Sequence, residues 1–228
     1  MAKRCFYALK TNEGNQVFDN WDDCSKARKG HTGIAFKAFA TEQMANDWLE
    51  GKRPVYAPLP NGNVTVFYTD GSNNADTMVP GYGFVIAKKG MLPDNAPLTL
   101  SGSTEEEGLR PLRNIAGELM AAMKAVQFAL RHGLTDIELR YDYAGVGEWP
   151  LGRFTTENNE YYEKYAAWMR SMGEKINITY TQIPGHSGDY YNEMADVLAR
   201  KGCGAAVRPG EAEELKAYHA ADAVTQAA

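Results

Sequence analysis

Two short runs, each closed by an aspartate, constrain this chain more than any other feature. VTVFYTD occupies residues 64–70 and IELRYD residues 137–142. Their β-branched and aromatic content marks both as strands, and both read as buried, central ones. A carboxylate at the mouth of such a strand is desolvated and needs a partner. Whatever else the chain does, it must bring something to Asp70 and Asp142.

Two further acids lie in apolar surroundings. Glu118 falls in the first turn of a long helix in NIAGELMAAMKAV, and Asp196 falls in a last helix, in HSGDYYNEMADVLA. Any one of the four reads alone as a helix cap or a surface charge, and Asp70 with Gly71 and Ser72 reads alone as a turn. Four acids on four separate elements are harder to dismiss. No basic residue recurs beside them in sequence, and convergent carboxylates resist joint ionisation. Hard divalent cations remove that cost: Mg²⁺ takes oxygen ligands and suits phosphate esters. Two such ions, about 3.5–4 Å apart, stabilise the attacking and leaving oxygens of an in-line displacement.

The chain of 228 residues divides into two domains. Residues 1–50 read as a small β-β-α-β-α unit. Its strands fall near 6–9, 16–18 and 34–39. One helix is capped by Asn20 and stopped by Gly30; a second is capped by Thr41 and ends near Leu49. Residues 51–63, with Pro54, Pro58 and Pro60, form an extended linker. Residues 64–204 make the larger domain. Its strands are expected at 64–70, 82–89, 98–103, 137–142 and 176–183. Its helices are expected at 115–132 (closed by Gly133), 158–172 and 190–201. That order describes an α/β mixed sheet flanked by helices. Residues 205–228 read as a flexible, alanine-rich tail.

The net charge of −5 taken alone argues against a nucleic-acid binder, yet residues 1–53 carry +2 against −5 for residues 54–204. The basic excess gathers around Lys26, Arg28, Lys29 and Lys37, with aromatic residues beside it. No apolar run approaches the roughly 18 residues of a membrane helix, and MAKRCFYALKTNEG turns polar too soon for a secretory signal. Cys5, Cys24 and Cys203 give neither a disulfide framework nor a zinc pattern, and Cys5 and Cys24 read as buried thiols. A cytoplasmic monomer without membrane contact is the expectation.

TDGS, the GEL-x-AA helix start, the YD strand end and GHSG…NEMAD, in that order, resemble the catalytic domain of type 1 ribonuclease H over about residues 64–203. The resemblance implies a five-stranded mixed sheet of order 3-2-1-4-5. It implies Asp70, Glu118, Asp142 and Asp196 as ligands of two Mg²⁺ ions, with Mn²⁺ as a substitute. The implied activity is endonucleolytic hydrolysis of the RNA strand of an RNA–DNA hybrid, leaving 5′-phosphate and 3′-hydroxyl ends. His186 stands ten residues before Asp196 between Gly185 and Gly188. A lone histidine is more often structural, but the resemblance implies that His186 positions water or helps the product leave.

Telling RNA from DNA requires contact with the 2′-hydroxyl. Gly71 allows close backbone approach to the sugar, and Ser72 and Asn73 supply polar groups, with Asn74 as readily a turn residue. Asn114 resembles the family's groove-contacting asparagine. Ile115 departs from the polar residue of many relatives, so contact by that side chain is not expected. The stretch from Tyr143 to Tyr165 lacks the lysine-rich helix of several relatives, which implies weak substrate binding by this domain alone. Trp149 and Phe154 suit the floor of a DNA-strand channel; Trp149 suits the core equally well.

The missing grip has a candidate. FYAL, Trp21, Cys24, Gly30 and FKAF resemble the hybrid-binding (viroplasmin-like) domain joined to many type 1 ribonucleases H. The resemblance implies that Tyr7 and Trp21 contact the DNA strand and that Phe36 and Lys37 serve phosphate and groove contacts. Ala38 stands where relatives show a second lysine, implying weaker, less salt-sensitive binding. The plainer reading makes these aromatics core, although alternation puts Phe6 and Tyr7 on opposite faces; Phe6 and Phe39 are the core picks. Integrase-like or exonuclease readings of the same fold fit the TDGS and GHSG…NEMAD pair less well. A non-catalytic hybrid or double-stranded-RNA binder is opposed by the presence of all four acids and His186.

Overall fold

The computed structural model describes residues 6–31, 35–39, 41–51, 59–60, 62–87, 98–156, 159–185 and 189–206. The chain forms two compact units, Met1–Ala57 with Pro184–Tyr190, and Pro58–Ile183 with Tyr191–Ala228. His186, Cys5, Ile34, most of the linker and nearly all of the tail lie outside the described residues.

In the smaller unit β1 (Phe6–Thr11), β2 (Gly14–Phe18) and β3 (Ala35–Phe39) form an antiparallel sheet of order β2-β1-β3. The hairpin is tighter than expected: pairing runs on to Thr11 and Gly14, so only Asn12 and Glu13 turn. The two helices are α1 (Trp21–Ala27) and α2 (Glu42–Leu49), each started by the expected cap. Asn20 Oδ1 accepts from the Asp23 amide at 2.9 Å, and Thr41 Oγ1 accepts from the Met44 amide at 3.3 Å. Ala8, Phe39, Ala45 and Trp48 form the core, with Phe6 packed against it. Cys24 is a buried free thiol.

In the larger unit β4 (Thr65–Asn73), β5 (Pro80–Ala87), β6 (Leu98–Ser103), β7 (Asp136–Tyr141) and β8 (Asn177–Gln182) form one mixed sheet of order β6-β5-β4-β7-β8. Numbered within the unit this is 3-2-1-4-5, as the resemblance implied. β4–β5 and β5–β6 are antiparallel; β4–β7 and β7–β8 are parallel. The helices are α3 (Asn114–Arg131), α4 (Gly145–Glu148), α5 (Glu160–Gly173) and α6 (Tyr190–Gly202), with a 3₁₀ turn at Glu107–Leu112. Helix α3 buries Ala122, Ala125, Val126 and Ala129 against Phe67, Phe84, Ile137 and Leu139. Small side chains at that helical spacing let it lie close to the sheet. No helix among the described residues is long and apolar enough to cross a membrane.

Three details differ from the sequence reading. Asp70 does not end its strand, because pairing with β5 continues to Asn73 opposite Pro80. Glu118 falls in the second turn of α3, which begins at Asn114. Helix α4 was not anticipated: GVGE has little intrinsic helicity, and the turn is held by burial of Val146 and by the Tyr165 hydroxyl, which donates to the Val146 carbonyl at 2.8 Å. The charged residues of IELRY also find their explanation. The buried Arg140 donates to both oxygens of Glu138, at 2.9 and 3.2 Å, and to the Tyr68 hydroxyl at 2.7 Å.

Candidate metal centre and nucleic-acid interface

The last rung between the parallel strands β4 and β7 pairs Tyr68 with Arg140. Two residues further along each strand stand Asp70 and Asp142. Both therefore lie towards the carboxyl ends of adjacent central strands, Asp70 three residues before the end of β4 and Asp142 just past the end of β7, where ligands of α/β sheets gather.

Glu118 reaches them because two glycines remove the distance between β4 and α3. A Cβ on Gly71 would overlap the Glu118 amide nitrogen and come within 2.5 Å of the Asn114 carbonyl oxygen. A Cβ on Gly117 would overlap the Gly81 carbonyl oxygen and lie 2.9 Å from Gly71 Cα. The space beside Gly71, expected to admit a sugar, is filled by α3. The residue's demonstrable task is to let the helix approach.

The result is a set of three carboxylates, Asp70, Glu118 and Asp142, with one oxygen of each within 4.8 Å of the others. Asp70 and Glu118 are buried, while Asp142 is partly open. Burial first, then repulsion from Glu118 and Asp142, pushes the Asp70 carboxyl well above its usual range. Burial and then Asp142 raise Glu118 likewise. Asp70 is relieved by the Gly71 amide, which donates to Asp70 Oδ1 at 2.7 Å, and Glu118 by its side-chain hydrogen bond with Asp70 and then by the same amide. Glu118 Oε2 is buried with no hydrogen-bond partner among the described residues. An all-oxygen donor set with an orphaned, inward oxygen fits a hard divalent cation.

Asp196 stands outside this group. Arg200, one turn on, donates from Nε to Asp196 Oδ1 at 3.0 Å and pairs with Oδ2 through its second nitrogen. The sequence reading found no basic residue beside the acids. Arg200 corrects that, and its signal was the i, i+4 spacing on a helix. Asp196 is nevertheless carried to the neighbourhood of Asp70. Helix α6 crosses β5 at Gly83, where a Cβ would lie 2.6 Å from the Ala195 carbonyl oxygen and the Ala199 nitrogen. Gly83 is the residue paired with Asp70 across the antiparallel ladder.

Of the residues expected to touch substrate, Ser72 and Asn73 are partly buried at the end of β4, and Asn114 is exposed at the start of α3. Asn74 is occupied locally: its Oδ1 accepts from the Asp76 and Thr77 amides, and its Nδ2 donates to the Cys203 carbonyl. Trp149 is only 6% exposed and stacks on Tyr162 at 4.0 Å, with its indole N–H donated to the Thr155 carbonyl. Of its two readings, burial supports the core. Phe154, 47% exposed, remains on the surface.

In the smaller unit the pairing of Leu9 with Phe36 and of Tyr7 with Ala38 sets these four on one face of the sheet. Trp21 at the start of α1 packs there too, its ring 5.5 Å from Tyr7 and 5.6 Å from Phe36. Trp21 is 41% and Phe36 36% exposed, so this aromatic row is a surface. Lys37 leaves the sheet on the opposite side: it pairs with the core residue Ala8, and its ammonium lies 5.8 Å from the Phe39 ring. The cation stacked on the aromatic row is Arg28, which the sequence reading counted as charge and assigned no contact.

Comparison with known proteins adds the following. The RNase H family model matches residues 62–204, and the model described as ribonuclease H1 N-terminal domain matches residues 5–49. Ribonuclease H of Saccharomyces cerevisiae is 26% identical over 241 residues, covering 86% of this chain and 68% of the relative. Ribonuclease H of Francisella philomiragia is 28% identical over 149 residues, covering 61% of this chain and 90% of the relative. Among solved structures, RNase H1 from the archaeon Halobacterium salinarum has 22% identity and a TM-score of 0.49, covering 60% of this chain and 96% of the other.

Proposed function

We infer that this chain, which belongs to the ribonuclease H family, hydrolyses the RNA strand of RNA–DNA hybrids. Within that reaction we propose that Asp70, Glu118, Asp142 and Asp196 hold two divalent cations, Mg²⁺ with Mn²⁺ as a substitute, and that cleavage leaves 5′-phosphate and 3′-hydroxyl ends. One observation carries the reading: three carboxylates gathered within 4.8 Å, one of them with a buried oxygen left without a partner. Ionised together without a cation they repel one another; a site built at that cost is built for cations. When bound, the ions supply charge stabilisation at the attacking and leaving oxygens of the phosphodiester.

The chain's own residues do the rest. The Gly71 amide holds the Asp70 carboxylate in place. Asp196 turns from Arg200 to complete the donor set. His186 positions water or assists departure of the product, a role consistent with a ring that exchanges protons near neutral pH. Ser72, Asn73 and Asn114 lie beside the acids and supply polar contacts to the RNA sugar, while Phe154 offers an aromatic surface to the DNA strand. All four acids come from one chain, which supports action as a monomer. Free buried thiols at Cys24 and Cys203 fit the reducing cytoplasm in which we place it.

We assign hybrid affinity to the smaller unit, through the aromatic row of Tyr7, Trp21 and Phe36, and the chemistry to residues 64–204; Lys37, on the opposite side of that sheet, does not share the row. Both bind one hybrid, so the second contact is effectively intramolecular. The test is cleavage of an end-labelled hybrid, duplex DNA and duplex RNA, with Mg²⁺ and with chelator. Cleavage of the hybrid alone, dependent on metal and lost in Asp70→Asn with hybrid binding kept, is the expected outcome. Undiminished cleavage in chelator overturns the metal assignment, and binding without cleavage favours a non-catalytic hybrid binder. Removing residues 1–53 raises KM and leaves kcat largely intact; an unchanged KM and salt dependence overturns the division of labour.

A further inference from the structure

Arg28 follows the last residue of α1 and has its guanidinium carbon 3.8 Å from the Phe36 ring centroid and 5.4 Å from that of Trp21. That is within cation–π range of both rings. Among the described residues no carboxylate pairs with it, although Asp22 and Asp23 begin the same helix: Asp23 is engaged by Asn20 and Lys26 instead. Its Nε is buried without a hydrogen-bond partner. A guanidinium has five donors in a fixed planar fork that matches a phosphate. Arg28 thus lies over an exposed aromatic row with no carboxylate partner among the described residues.

Lys37, the lysine that sequence resemblance pointed to, leaves the other side of the sheet, and Ala38, on the aromatic side, carries no charge. A nucleic-acid strand stacked on Tyr7, Trp21 and Phe36 meets a cation on the same face only if another residue supplies it.

We propose that Arg28 is the phosphate-binding residue of this aromatic face: it clamps Phe36 through its planar face and binds a backbone phosphate of the hybrid through its edge, replacing the cation absent at Ala38. The proposal rests on the reading of this face as hybrid-binding and assigns the residue within it that carries the salt dependence. Arginine suits both tasks where lysine suits one, because only a planar delocalised cation stacks and forks at once.

The test is fluorescence anisotropy of a labelled RNA–DNA hybrid with the full chain, made cleavage-silent by Asp70→Asn, across a series of KCl concentrations. Arg28→Gln and Arg28→Ala lower the slope of log K against log[salt] by about 0.9 and weaken binding roughly tenfold at 0.1 M salt, less towards 1 M. Arg28→Lys keeps most of the slope. Trp21→Ala weakens binding and leaves the slope unchanged, since the indole carries no charge. An unchanged slope in Arg28→Gln, with or without weaker binding, overturns the proposal and makes Arg28 a support for Phe36 only. If Trp21→Ala binds as tightly as its parent, the reading of the face itself fails. Circular dichroism identifies any unfolded variant; Arg28→Gln, which keeps the stem, then replaces Arg28→Ala.

Discussion

Asp142 stands to Asp70 as Arg140 stands to Tyr68: the offset that pairs β4 with β7 sets the two aspartates side by side, two residues past the last rung. Glu118 joins them within 4.8 Å. The folded chain thus pays an electrostatic cost that grows as these acids ionise, and this cost is measurable without any turnover.

Stability without metal should fall as pH rises. Burial and mutual repulsion raise the Asp70 and Glu118 carboxyls above their ordinary range, so the folded state holds protons that the unfolded chain releases. The contribution of these groups is most favourable below about pH 4 and is lost as pH climbs through the raised folded values. In chelator, Asp70→Asn should be more stable than wild type by on the order of 1–3 kcal/mol at neutral pH, with the difference shrinking towards pH 4. Thermal melts across pH, with chelator and with Mg²⁺, check this. The difference should narrow or reverse when Mg²⁺ is present. A difference that does not vary with pH would count against the mutual repulsion.

Gly117→Ala should damage the site from outside it. The new methyl overlaps the Gly81 carbonyl and presses on Gly71, forcing α3 and Glu118 away from Asp70. Overpacking costs about 1–3 kcal/mol, and a displacement near 1 Å costs about a hundredfold in rate. Gly173→Ala at the end of α5, where a Cβ meets nothing within 4 Å, is the control and should leave kcat unchanged. Melts and initial rates on both variants decide it.

Trp149 and Phe154 should separate cleanly. Trp149→Ala empties a core position stacked on Tyr162 and should cost about 3–5 kcal/mol. Phe154→Ala should change stability by less than about 0.5 kcal/mol and weaken hybrid binding several-fold, by about 1–3 kcal/mol at most if a base stacks there. Denaturant melts and anisotropy read the two effects independently. Weakened binding by a stably folded Trp149→Ala, with Phe154→Ala silent, would exchange the two assignments.

Asp196→Asn tests the fourth acid. Its pair with the buried Arg200 is largely shielded from water, so losing the charge should cost on the order of 1–3 kcal/mol while the protein still folds. A Mg²⁺ titration of the initial rate should instead move to higher concentration while hybrid affinity holds. A titration curve coincident with that of the wild type would remove Asp196 from the metal site.

The strands of the larger sheet, both helix caps of the smaller unit and the acids Asp70, Glu118 and Asp142 were legible in the sequence, while the order of those strands came only from the family resemblance. Each legible feature depends on local signals: β-branched runs, Asn20 and Thr41 before helices, and carboxylates at apolar segment ends. Helix α4 was not legible, because GVGE is helical only under the burial of Val146. The tasks of Gly71 and Trp149 were open for the same reason, since their neighbours lie on elements distant in sequence.

What the sequence alone determined is which groups are present and the fold that can carry them. What tertiary structure decided is which groups meet. Asp70, Glu118 and Asp142 converge through a parallel register and a glycine-to-glycine crossing, while Asp196 rests on Arg200. Arg28 and Phe36, eight residues apart in sequence, are stacked by a helix end laid against a strand, and Lys37 is turned away by the two-residue period of the same strand. Side-chain direction follows from backbone alternation and pairing, and pairing is settled only when the whole chain has found its partners.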